Sequence, residues 1–151
     1  MKILSWLLVI LGISGLIGVR VMEDKIFYDP FLSYFHEANK NISFPAFEWG
    51  KLIGGHVFRF VLNLFFSCLI IQGLFKNKQW TIQGALMMVI VFAIAFPIYL
   101  FCIQNKFEIG YLFSFYMRRF VIQPLIILLM VPMFYYRKQL EKDKHRGRES
   151  K

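Results

Sequence analysis

The stretch YLFSFYMRRFVIQPLIILLMVPMFYY, residues 111–136, sets the class of this protein. It is apolar enough to enter a bilayer, yet Arg118 and Arg119 stand side by side within it. On insertion scales an arginine near the centre of a bilayer costs about 2.5–3.5 kcal/mol. The compensation must come from water at the interface, from acids elsewhere in the chain, or from an anionic ligand.

Composition agrees with a membrane setting. Of 151 residues 58% are hydrophobic, and the 18 phenylalanines and seven tyrosines exceed what a soluble core of this size uses. One small integral membrane domain follows, all-α, with no second soluble domain and no internal repeat. The net charge is +9, but residues 137–151 hold seven Lys/Arg against three Asp/Glu. That concentration reads as a basic cytoplasmic tail beside a membrane, and nucleic acid is not an expected partner. Cys68 and Cys102 both lie in apolar runs, too few for a disulfide framework or a zinc site.

Along the chain, apolar run lengths predict four helices at about 3–19, 52–75, 81–103 and 111–136, a four-helix bundle occupying residues 1–136. The first run has two readings, a cleaved signal peptide ending near Gly15 and Gly18 or a retained helix. The weak n-region and the lack of an A-x-A site favour retention. Residues 20–50 form the only long polar segment, acidic through Glu23, Asp24, Asp29, Glu37 and Glu48, and rich in aromatics from Phe27 to Trp49. Asp29-Pro30 signals a turn, and the run after it can start a short amphipathic helix. Such a loop belongs on a membrane surface. Asn41-Ile42-Ser43 also matches a glycosylation acceptor.

The second span is impure. His56, Arg59, Asn63 and Ser67 fall within about 80° of one another at 100° per residue, so their stripe is expected to face protein. The third span carries no charge, with Pro97 as a kink point near its far end, and Pro124 and Pro132 are kink points in the fourth. Lys/Arg counts in the flanks place Lys2, Lys76, Lys78 and the tail on one side. Arg20, Lys25, Lys40, Lys51 and Lys106 fall on the other. The first set is larger and less offset by acids. The expectation is a multi-pass protein of a bacterial inner membrane, both termini cytoplasmic, residues 20–50 outside.

In that topology Arg59 and Arg119 reach similar depth, each followed four residues on by an amide, Asn63 and Gln123. His56 is one turn further out, Arg20 closes the first helix, and Arg118 adjoins Arg119. The candidate outer-leaflet polar site is therefore Arg20, Glu23, Asp24, Asp29, His56, Arg59, Asn63, Arg118, Arg119 and Gln123. Three readings stay open. The arginines can be anchors that snorkel to water. They can be neutralised by the loop acids, fastening the loop to the bundle. Or they can hold an anion such as a lipid phosphate, a polyprenyl phosphate or a carboxylate. An enzyme reading also exists, since Cys102, His56 and the arginines lie at similar depth. Neither cysteine sits in a recognisable catalytic motif, though, and no catalytic residue, metal site or cofactor is expected.

The blocks Arg20-x-x-Glu23-Asp24-x-x-Phe27-Tyr28-Asp29-Pro30-Phe31, Arg59-Phe60-x-Leu62-Asn63, Phe115-Tyr116-x-Arg118-Arg119-Phe120-x-Ile122-Gln123-Pro124 and Pro132-x-Phe134-Tyr135-Tyr136 resemble the exosortase F system-associated proteins. These are small multipass proteins of Bacteroidetes, and the resemblance extends over nearly the whole chain. It implies a non-catalytic accessory role beside an exosortase, a membrane cysteine transpeptidase that processes sorting signals. This chain lacks the exosortases' own Cys- and Arg-containing motifs. The expected partners are membrane lipid and such a transpeptidase. The alternatives are a membrane protein binding a lipid or polyprenyl phosphate and, third, a cysteine-dependent enzyme using Cys102.

Overall fold

The computed structural model describes residues 2–27, 29–31, 35, 46–123 and 125–149, and every regular element among them is a helix. In chain order these are α1 (Lys2–Val21), the single turn α2 (Glu23–Ile26), α3 (Trp49–Phe75), α4 (Lys78–Gln104), α5 (Tyr111–Ile122) and α6 (Leu125–Glu149). Three helices, α1, α3 and α4, are each long and apolar enough to cross a membrane, and α5 with α6 makes a fourth candidate span bent by 62°. The glycosylation match at Asn41 and the middle of the expected amphipathic run, residues 32–34, lie outside the described residues.

The helices overrun the apolar runs by up to three residues, because capping rather than hydropathy ends them. Lys76 closes α3 in the left-handed conformation (φ 54°), its N–H donating to the Gln72 carbonyl. Asn77 then caps α4, its side chain accepting from the Gln79 N–H at 2.9 Å. The larger departure is the fourth span, expected as one helix over 111–136. It breaks after Ile122, where Gln123 is extended (φ −111°, ψ 133°), as a residue before proline prefers. By contrast α4 and α6 run on through Pro97 and Pro132. The basic segment after residue 136 is helical as well, since α6 continues to Glu149.

α1 packs antiparallel on α3 through glycines. A Cβ on Gly12 would come within 2.9 Å of the Phe66 carbonyl oxygen, and one on Gly73 within 2.8 Å of the Ser5 carbonyl oxygen. Close backbone approach of this kind is how helices associate in lipid, where apolar burial alone gives no drive. The opposite face of α1 is open, with Ile3, Trp6, Ile10 and Ile17 exposed.

Two apolar clusters hold the remaining helices. One gathers Phe31, Phe35, Leu52, Tyr99, Cys102, Phe107 and Val121. The other, at the opposite end of the bundle, gathers Ile71, Trp80, Met130 and Phe134, with Trp80 and Phe134 stacked at 5.6 Å between centroids. The α4–α5 turn feeds the first cluster. Lys106 and Phe107 both take left-handed conformations (φ 49° and 61°), an arrangement of about 1 kcal/mol or more per residue. In return the Phe107 ring lies edge-on to Phe31 at 5.3 Å and beside Phe35 at 5.1 Å.

Candidate functional site: a buried ion quartet

The polar stripe of α3 is turned inward: His56, Arg59, Asn63 and Ser67 are all buried. From Arg59 the site builds outward. Its Nη2 donates to Glu23 Oε2 at 2.6 Å, and its Nη1 stands 4.0 Å from Asp29 Oδ2. Arg118 from α5 donates to the same Asp29 Oδ2 at 2.6 Å and approaches Glu23 Oε1 at 3.6 Å. Two guanidiniums and two carboxylates thus alternate in one closed set of zero net charge. All four side chains are less than one tenth exposed.

Local chemistry places each member. Glu23 is carried by the turn α2, directly after α1. Asp29 is fixed by its own turn, its Oδ1 accepting the Phe31 N–H at 3.2 Å, which also seats Phe31 fully buried in the core. Arg118 shares the inward face of α5 with Ser114, Val121 and Ile122. Aromatic rings flank the guanidiniums, Arg59 over Phe27 at 5.4 Å and Arg118 over Phe35 at 5.6 Å. The segment is further tied down where the Tyr111 hydroxyl donates to the Phe35 carbonyl at 3.1 Å.

One turn before Arg59, His56 Nδ1 donates to the Leu52 carbonyl at 2.8 Å. Nδ1 therefore carries the hydrogen, and Nε2 is the acceptor in the neutral ring. The ring packs against Tyr99 at 5.4 Å between centroids. The Tyr99 hydroxyl lies beside Arg118 without meeting hydrogen-bond geometry. Among the described residues His56 Nε2, Ser114 Oγ and the Nε atoms of both arginines also have no hydrogen-bond partner. One turn beyond Arg59, Asn63 Nδ2 donates to the Ile122 carbonyl at 2.9 Å. That carbonyl ends α5, and the break before Pro124 leaves it without a helical partner.

Of the ten residues nominated from sequence, Glu23, Asp29, Arg59 and Arg118 meet, with His56 and Asn63 alongside. Arg119 does not take part, which corrects the expectation that it converges with Arg59. It is exposed on the other side of α5, its guanidinium 4.7 Å over the Phe115 ring. Arg20 is exposed at the C-terminal end of α1, where its charge suits the helix dipole. Gln123 lines a narrow cleft with Asn63, Phe60 and Phe92. The Asp24 side chain lies outside the described residues. Sequence reasoning missed Tyr99 and Ser114. Ser114, four residues before Arg118, marks the inward face of α5 and could have selected Arg118 over Arg119.

The quartet's chemistry is directed at itself: each guanidinium is met by carboxylate oxygens, leaving no free charge for an external anion. Cys102 is fully buried in the apolar cluster with Tyr99 and Val121, and Cys68 is half-buried. No protein-family model, curated protein or solved structure matches the chain.

Proposed function

We propose that the chain is a non-catalytic accessory protein of a bacterial inner membrane, presenting its 20–50 segment outside to a partner membrane protein. The observation that carries this is the quartet: charge-balanced and closed, it holds the start of that segment, Glu23 to Phe31, against α3 and α5. A ligand site would leave cations free, whereas a fastening leaves none. Neutralisation of Arg59 and Arg118 takes both out of the phosphate-binding reading, which then rests on the exposed Arg20 and Arg119. Burial of Cys102 weighs against a nucleophilic thiol, which needs access to substrate. The glycine packing of α1 on α3 supports a first helix that is retained. Orientation with both termini cytoplasmic rests on the Lys/Arg asymmetry of the flanks.

The partner class comes from the resemblance to exosortase F system-associated proteins: an exosortase-type transpeptidase. The test is copurification from native membranes with a tagged full-length chain, combined with crosslinking from the segment between Glu23 and Phe35. Recovery of the transpeptidase through that segment supports the reading. An intact, abundant protein that never captures one overturns it.

A further inference from the structure

At the end of the bundle opposite the quartet, α1, α3 and α6 leave a cleft of about 330 Å³ between them. Its walls are apolar, from Val9, Leu74 and Phe75, with Trp6 two-thirds exposed at the rim. Its polar contribution includes two cations, Lys76 and Lys138. Lys138 is half-buried, its Nζ 5.9 Å from the Phe75 ring centroid. Lys76 occupies the left-handed C-cap of α3, a conformation that favours glycine or asparagine. Among the described residues neither lysine is paired with a carboxylate, whereas the neighbouring Arg137 has Glu141 at 3.7 Å. The charged turns of α6 that follow add four more Lys/Arg before residue 150, among them Lys142 and Arg146, which line a separate open groove.

From this we infer a binding site for one anionic phospholipid: its phosphate between Lys76 and Lys138, an acyl chain along the apolar wall of α1 and α3. The inference rests on the membrane setting of the bundle but not on the partner proposed above. Two unpaired cations over apolar walls match the two halves of such a lipid, and a tryptophan at the rim suits the headgroup level. A zwitterionic lipid matches the walls but not the charge, and free phosphate matches the charge but not the walls.

The purified full-length chain in neutral detergent should retain phosphatidylglycerol over phosphatidylcholine in native mass spectrometry. Near an anionic surface each lysine contributes about fivefold in affinity, so Lys76→Asn with Lys138→Gln should weaken phosphatidylglycerol roughly 25-fold. Asparagine is chosen because it accepts the left-handed conformation. Lys138→Gln alone, expected to lose about fivefold, serves if the double variant does not fold. Lys142→Gln with Arg146→Gln removes equal charge from α6 outside the cleft and should change the preference far less. Equal retention of the two lipids would overturn the site. So would equal losses in the two double variants, which would mean diffuse attraction by α6. Displacement of the lipid by inorganic phosphate alone would overturn the lipid assignment in favour of a free-anion site.

Discussion

Arg118 and Asp29, 89 residues apart in the chain, meet at 2.6 Å with side chains only 5% and 3% exposed. Truncating one member of such a pair strands the other's charge, at about 3–5 kcal/mol. Arg118→Gln and Arg59→Gln should each lower thermal stability in detergent severely, with loss of abundance in cells. Arg119→Gln, removing an exposed cation, should cost under about 1 kcal/mol. The reverse order in a thermal-shift assay would remove the quartet from the account of stability.

Neutralising both partners at once should hurt less than the single changes suggest. Asp29→Asn with Arg118→Gln leaves no unbalanced charge at that corner. A double-mutant cycle is expected to show a coupling of about 1–3 kcal/mol, the double variant being more stable than the sum of its parts. Strict additivity would mean that the two side chains do not interact.

The α1–α3 contact predicts a split among glycines. Gly12→Ala and Gly73→Ala each drive a methyl group into a backbone carbonyl and should destabilise by about 1–3 kcal/mol. Gly18 has nothing within 4 Å of the added carbon. Gly18→Ala should therefore be neutral, or stabilising by up to about 1 kcal/mol through helix propensity. Proteolysis of the detergent-solubilised variants would reveal whether α1 has come loose.

Thiol accessibility should separate the two cysteines. A membrane-permeant maleimide is expected to label half-buried Cys68 well before fully buried Cys102. Cys102→Ala should keep partner capture and lose only about 1 kcal/mol to the small cavity. Loss of activity at normal abundance in that variant would restore the enzyme reading.

Orientation is open to a direct check. In intact spheroplasts an impermeant thiol reagent should label Ser43→Cys and leave Ser150→Cys untouched, in a background lacking both native cysteines. The opposite pattern would invert the topology.

Much of this architecture is legible in the chain. Run lengths give α1, α3 and α4 because a predominantly apolar run of that length has few other uses. The 3.6-residue period turns His56, Arg59, Asn63 and Ser67 to one side. What escapes is angular and non-local. Arg118 and Arg119 differ by 100° around α5, and matched depth with Arg59 cannot choose between them. Three prolines look alike in the sequence, yet only at Pro124 does the helix break, where Asn63 from another helix takes up the Ile122 carbonyl. The glycine seam of α1 depends on which residues of α3 lie across from it, and hydropathy does not report that.

Neutrality in the quartet belongs to the finished chain and not to its parts. Synthesis delivers Glu23 and Asp29 first, then Arg59, and Arg118 only near the end. Before α5 is made, Glu23 and Asp29 are two acids against the single base Arg59. Full charge balance around the segment therefore depends on α5, and Arg118 ties the start of the chain to one of its last helices.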